Sequence, residues 1–479
     1  HGDDFVIDPL LMTTTAGSAG LWAEREFGAA KLGNVTRTKR LVSMAETAAE
    51  QKGASGTISA VFRDDGAGRE GAYKFIERHG DKNLAVGRAA GVSAFKRAGK
   101  LPFVVVPVDG TSLTALVNDR EGEFGPVGNS RSSSRGLTVM HAVMLTPTGT
   151  PLGVAEQVYW TRSEVLRTKD RWARRKMAFE DKETAQWLHV MERVLDAQEE
   201  AGFEGVVWFQ ADRGADFTEF IAWSCLSPCW TTVRANANRN VVGSQEKKLW
   251  ETLSAVPRGH KYSIDVPRTE KRAARTASME LKFSEVILTL PRACGWNGVQ
   301  VPVYAVLVRE TSTVPRGEEP IEWLLITTRP IRTVREARQV VKAYALRWRI
   351  EECHKTWKSV TRVEDNQLHT AGAFNLWARI LFSVSVRAER LKRLSRENAD
   401  LPASTEFTGD ELEALRLRRK KTRAEMKAVT MSEAIDWVAR LGGYIGKSSG
   451  GPPGSITIGR GLQWLEVAAS TVAAMRNAQ

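Results

Sequence analysis

Helical-period stretches and short apolar runs alternate along the chain in a definite order. From Leu21 to about Ala98 apolar residues recur every three or four positions, which predicts short amphipathic helices over 21–27, 37–50 and 71–77. A nearly all-apolar, β-branched run from Phe103 to Val108 then predicts a buried strand, and Asp109 closes it. Leu137–Leu145 and Leu152–Trp160 read as a hairpin across Pro147-Thr148-Gly149-Thr150. A helix is expected from about Asp181 to Glu200. After it comes a second buried strand, Gly205–Gln210, which runs into Ala211-Asp212-Arg213-Gly214-Ala215-Asp216. Between Trp230 and about Val314 the pattern is β-like with turns, and Trp323 opens one more strand, WLLITT. The rest is helical in period: a capping box at Thr333 and Glu336, no Gly or Pro until Gly372, an amphipathic helix over 374–394, a polar joint around Pro402 and a last helix over 461–475.

One segment of that helical part carries more charge than packing needs. In YALRWRIEECHKTWK, Tyr344 to Lys358, a turn of about 100° per residue sets Tyr344, Arg347, Glu351 and Lys358 at about 0°, −60°, −20° and −40°. One narrow stripe therefore holds a phenol, two cations and a carboxylate, while Ile350, Cys353 and Trp357 supply a packing side. The plain alternative is a solvated face with pairs such as Glu351–Lys355.

Composition narrows the partner. The 479 residues suggest two to four domains, and 42% hydrophobic residues suffice for real cores. A net charge of +13 with a pI near 9.6 favours a polyanion, nucleic acid first. Basic residues gather at Lys31, Arg37, Lys39 and Arg40 beside Gly33-Asn34, a setting suited to phosphate contact. They gather again over 162–176, as a DNA-facing loop or a solvated linker, and over 416–423. Four cysteines without CxxC pairs fit core thiols in a reduced compartment, although Cys225-x3-Cys229 could be a metal half-site. No run of 18 apolar residues and no signal segment is present, which predicts a protein without a membrane span.

Two carboxylates close buried strands. Asp109 ends the first, and Asp212 directly follows the second. Asp216 competes with Asp212 but lies near the next helical stretch, where it is placed to cap.

The spacing Tyr-x2-Arg-x3-Glu-x6-Lys, within YxxRWRIEExHKxWK, resembles the signature of the DDE cut-and-paste transposases of the IS-four group, and the run looks very like that of the Tn-five type. LWAEREFGAAKLGNVTRTKRLV and EGAYKFI are similar to the N-terminal end-binding domain of that type, and the likeness runs from about Leu21 to Leu465. It implies an α/β fold: an RNase-H-like catalytic core over 85–396 with a β-rich insertion at about 230–322. A helical DNA-binding domain (1–84) and a helical dimerisation domain (397–479) flank it. Asp109, Asp212 and Glu351 become the catalytic, metal-binding carboxylates for two Mg²⁺ ions, with Mn²⁺ as a substitute. Hard ions of this kind prefer such oxygen ligands. Tyr344, Arg347 and Lys358 are implied to hold DNA phosphates, Trp323 to stack on a base flipped from the transposon end, and Arg234 to approach that end. Arg37, Lys39 and Arg40 are the end-binding basic set. Asn236 stands where the type has Lys, a departure in the phosphate-contact set. The implied partners are double-stranded DNA, at transposon ends and target, and a second copy of the chain in a paired-end homodimer, in the nucleoid-associated cytoplasm of a bacterium. The implied activity is cleavage through a hairpin intermediate followed by joining of 3′ ends to target DNA. A non-catalytic end-binding regulator and a metal-dependent nuclease without strand transfer are the alternatives.

Overall fold

The computed structural model describes residues 22–49, 55–116, 122–128, 133–164, 176–266, 268, 273–291, 298–446 and 451–477. Most of the basic run at 162–176 and Cys294 lie outside the described residues.

Side-chain caps start many of the helices. Thr57, Asp65 and Thr370 each accept from the backbone N–H three residues on, and Thr333, Thr408, Thr422 and Thr430 form capping boxes with Glu336, Glu411, Glu425 and Glu433. The N-terminal helices are α1 (Trp22–Phe27), α2 (Val35–Ala49), α3 (Ile58–Val61), α4 (Gly66–His79) and α5 (Asn83–Ala98). α4 begins five residues ahead of its expected start, because the Asp65 cap carries the helix through Gly66, Gly68 and Gly71.

The strands are β1 (Phe103–Thr114), β2 (Gly125–Pro126), β3 (Arg135–Leu145), β4 (Pro151–Trp160), β5 (Val206–Ala211), β6 (Trp230–Arg234), β7 (Asn240–Val241), β8 (His260–Val266), β9 (Arg275–Thr289), β10 (Gln300–Glu310) and β11 (Glu322–Thr327). Between and after them run α6 (Ala185–Ala201), α7 (Thr218–Leu226), α8 (Leu249–Ser254), α9 (Val334–Ala345), α10 (Trp348–Ser359), α11 (Ala371–Glu397), α12 (Gly409–Arg419), α13 (Arg423–Lys427), α14 (Met431–Leu441) and α15 (Ser455–Asn477). β3 and β4 form the expected hairpin, and β1 pairs antiparallel with β3 but parallel with β5, which is parallel to β6. This mixed sheet is the α/β core that the family resemblance implied.

Alternation along the strands sends side chains to two faces. Val105, Val139, Trp208 and Leu325 share one core with α9, α10 and α11, and the N-terminal helices α1, α2 and α4 join that same core. Val104, Met140, Val207 and Leu324 face the other core, under the end of α5 and α6, α7 and α8. A third, smaller core holds the end of α11 to α12, α14 and α15. The N-terminal helices sit close on α11: Trp377 Nε1 donates to Gly56 O (2.8 Å), and a Cβ on Gly80 would meet the Gly372 backbone.

Three expectations need correction. β1 does not stop at Asp109 but continues to Thr114, because β3 keeps pairing with it after β5 has ended. The helix through Tyr344 is broken after Ala345: i→i+3 bonds from Leu346 to Ala343 and from Arg347 to Tyr344 tighten the chain, and α10 restarts at Trp348. Asp216 caps nothing. Its carboxylate is buried, accepts from the N–H groups of Asn236 and Ala237 and pairs with Arg239 at 2.5 Å, a structural ion pair. β6 and β11 lie side by side in the sheet, and the strands between them in sequence, β7 to β10, extend that sheet beyond β11 as a β-rich segment. The expected 84/85 boundary falls in the first turn of α5, whose body packs on β4 and α6.

Candidate active site

Strand register brings the first two carboxylates together. The parallel pairing of β1 and β5 ends at Pro107 opposite Gln210, so Asp109 and Asp212 each lie two residues past that last matched pair. Both share the parity of Val105 and Trp208 and leave the sheet on the α10 side. Here the strands part: β1 goes on with β3, while Asp212 turns the chain by accepting from Gly214 N–H at 2.7 Å. Glu351 comes from the first turn of α10 above this fork, and Ile350, Cys353 and Trp357 are fully buried beneath it, as the stripe required.

Arg347 joins the set. It donates through Nη1 to Asp109 (3.1 Å) and through Nη2 to Glu351 (2.7 Å), while Asp109 also accepts from Gly110 N–H. Burial pushes the Asp109 carboxyl up to about 6, against the pull of Arg347, and the Asp212 and Glu351 charges add to the rise. Burial works against the Arg347 cation, yet Asp109 and Glu351 hold its pKa above the ordinary value. The two directions agree: Asp109 and Glu351 share one guanidinium while the Asp212 charge also bears on Asp109, so Asp109 remains short of positive charge.

The remaining stripe residues close round the same point. Tyr344 is buried, its pKa raised mainly by that burial, and meets Trp323 edge to face at 5.2 Å between ring centres. Lys358 Nζ donates to Ser112 O of β1 (2.7 Å). Arg234 donates to Glu322 O, and its pKa is lowered by burial and then by Arg213, with Arg347 and Asp212 also in its field. Asn236 lies two residues on, its N–H held by Asp216. Arg37, Lys39 and Arg40 sit apart on α2: Arg37 donates to Leu32 O, while Lys39 and Arg40 are exposed.

Two features escaped the sequence. A cavity of about 730 Å³ opens beside Trp323, lined also by Tyr262, Ile264, Met279, Arg338 and Lys342, with the Arg338 guanidinium 5.1 Å from the Tyr262 ring centre. Only Trp323 stood out beforehand, because the other walls come from β8, β9 and α9. The second is a buried contact between His141 and His354 behind the carboxylates.

Among the described residues no three of His, Cys, Asp or Glu stand close enough together to hold one ion. The donor set nonetheless fits hard divalent cations: all oxygen, with Asp109 central between Asp212 and Glu351, and electrostatically short of positive charge. Cys225 and Cys229 are no half-site. Among the described residues they belong to no metal-holding group; Cys225 is partly and Cys229 fully buried, and burial pushes their thiols up to about 11 and about 12.

Three family models match the chain in succession. "Transposase DNA-binding" covers residues 19–79, "Transposase DDE domain" residues 183–386 and "Transposase Tn5 dimerisation domain" residues 383–478. Asp212 and Glu351 lie inside the DDE match, whereas Asp109 is tied to it by the β1–β5 register. A DDE domain implies dependence on a divalent metal, and the flanking matches imply DNA and a second copy of the chain as partners. No helix among the described residues is long and apolar enough to cross a membrane. The chain is built from the DNA-binding, DDE and dimerisation domains of Tn5-type transposases.

Proposed function

We propose that this chain is a cut-and-paste transposase of the IS-four group that binds the terminal repeats of its element. It cuts both DNA strands through a hairpin and joins the freed 3′ ends to target DNA. The observation that supports the reading is that Asp109 and Asp212 leave neighbouring strands at matching positions, with Arg347 bridging Asp109 to Glu351. Two Mg²⁺ ions held there, or Mn²⁺ in their place, would neutralise the charge on the attacking and leaving oxygens of each phosphoryl transfer.

The chain's own residues do the rest. Arg347 and Lys358 leave their present partners, Asp109 and Ser112 O, for backbone phosphates, and the Tyr344 hydroxyl donates to another. Trp323 receives a base turned out of the duplex, and the cavity beside it gives that base room. Stacking of this kind is worth about 1–3 kcal/mol per base. Arg234 approaches the end, while Arg37, Lys39 and Arg40 read the repeat from α2. Water nicks one strand, the freed 3′-OH attacks the opposite strand to close a hairpin, and a second water opens it. The 3′-OH then attacks target DNA. A homodimer holds paired ends, with one subunit cutting the end bound by the other, on the DNA of a bacterial nucleoid.

The test is incubation with Mg²⁺ and a duplex bearing the element's terminal repeat, read on denaturing and native gels. Nicked, hairpin and integrated products are expected. Tight, salt-sensitive binding without cleavage in Mg²⁺ or Mn²⁺ would make the chain an end-binding regulator, and cleavage without hairpin or joined product would make it a nuclease.

A further inference from the structure

Behind the carboxylates, on the same face of the sheet, two imidazole rings bridge strand and helix. His141 of β3 is the direct ladder partner of Asp109, so the two side chains leave the sheet side by side. His354 stands three residues after Glu351 on α10, about one helical turn on. His141 Nδ1 and His354 Nε2 are 3.0 Å apart, a hydrogen bond in which one ring donates its N–H to the lone pair of the other. The pair is sealed: His141 is 0% and His354 9% exposed, and His141 lies flat on Phe382 of α11 with ring centres 3.7 Å apart and planes 13° apart. Trp357 closes the edge at 5.0 Å.

Both rings are held neutral, and the bond needs at least one of them in that form. Burial pushes His354 down to about 3, and burial, then His354 and Arg379, hold His141 well below its ordinary value. Two protonated rings would present donors only, and the bond could not form.

Asp109 belongs to a strand and Glu351 to a helix, so their separation depends on what ties α10 to the sheet. Two other polar ties, Arg347 to Asp109 and Lys358 to Ser112 O, run through side chains that the transposase reading turns toward DNA phosphates. The histidine bridge makes no such demand, because it is buried and neutral. We propose that His141 and His354 are positioning residues: their bridge fixes the spacing of Asp109 and Glu351 when Arg347 and Lys358 have swung to the DNA. This rests on the reading of those carboxylates as the metal-binding pair.

The test uses the full chain bound to a duplex already cut at the end of the repeat, with Mn²⁺ binding followed by electron paramagnetic resonance. Thermal unfolding and metal-free gel shifts are run beside it. His354→Leu removes the bridge and keeps an apolar group, and is expected to weaken Mn²⁺ binding about 10-fold, the lower end for residues that support metal ligands. End binding without metal is unchanged, and cleavage half-saturates at correspondingly higher Mg²⁺. His354→Gln, whose amide reaches the place of Nε2, recovers most of the affinity. A Leu variant that binds Mn²⁺ as tightly as the parent, or a Gln variant as weak as Leu, overturns the bridge. Should the Leu protein not fold, His354→Asn, with an amide too short for the bond, replaces it in the comparison with Gln. A parent protein that binds no Mn²⁺ overturns the carboxylate reading itself, a result separate from the failure of the bridge.

Discussion

Asp109 carries the cost of the site. Its carboxyl is raised from 3.8 to about 6 by burial and by Asp212 and Glu351, so the folded protein without metal holds the charged form at a disadvantage. A raised carboxylate pKa means that the unfolded chain releases its proton first, so this residue lowers stability as pH rises from about 4 to 6 and keeps that penalty above. Asp109→Asn in EDTA is therefore expected to raise the unfolding free energy at pH 7 by roughly 1–2 kcal/mol after solvent screening, and Tm with it. The gain disappears below about pH 4, where both states are protonated. A melting series of both proteins from pH 3.5 to 8 checks it, and a variant less stable at neutral pH would contradict it. Arg347 is the counterpart. Removing it with Arg347→Gln frees Asp109 and Glu351, so Mn²⁺ binding to the DNA-free protein should tighten by about 1 kcal/mol, roughly fivefold, while cleavage is lost. Calorimetric titration of Mn²⁺ decides; weaker binding would mean that Arg347 organises the site before DNA arrives. These residues were legible in the sequence because they are of rare type for their surroundings: Asp109 after an apolar run, and a charged stripe on a helix whose packing side is Ile350, Cys353 and Trp357. His141 and Arg338 were not, since a lone histidine or arginine gains its meaning only from the element packed against it.

At the scale of elements, local chemistry made the starts visible and tertiary pairing decided the ends. The Thr333–Glu336 capping box was readable and forms as expected, with Thr333 accepting from Glu336 N–H. Thr333→Ala should cost about 1 kcal/mol, measured by denaturant unfolding; because α9 carries Tyr344 into the site, cleavage should fall with it, and an unchanged midpoint would show the cap to be idle. What could not be read is how far β1 runs, where the helix after Thr333 breaks and which sheet the later strands join. Each depends on a partner distant in sequence. β3 prolongs β1 past Asp109, and β6 pairs with β11, whose sequence lies some ninety residues on. Asp216 shows the same limit in one residue: its place before a helix suggested a cap, and Arg239 took it instead.

For the whole molecule, the order of the three parts was legible through the family resemblance, and their mutual packing was not. The N-terminal helices share a core with α9, α10 and α11, so the end-binding part rests directly on the catalytic face. The dimerisation match ends on α15, where Trp464 is 64% exposed among Ile456 and Met475, all large apolar groups facing outward. A buried tryptophan anchor at a subunit interface is worth about 2 kcal/mol or more. Trp464→Glu should therefore weaken dimerisation on paired ends at least roughly 30-fold while leaving the monomer's Tm unchanged. Sedimentation with end duplex reads the first and calorimetry the second, and a dimer of undiminished strength would place the interface elsewhere.

The claim on which the account depends is that three residues from two strands and a helix act as one catalytic set. It is tested most directly by Mg²⁺-dependent cleavage of an end-bearing duplex, with gel-shift binding run in parallel, for Asp109→Asn, Asp212→Asn, Glu351→Gln and the control Arg309→Gln, whose ion pair with Glu322 joins β10 to the first residue of β11. Each of the three carboxylate variants should bind the end and cut it at least about 10³-fold more slowly, with the control near the parent. Cleavage persisting in any one of the three would contradict the shared site.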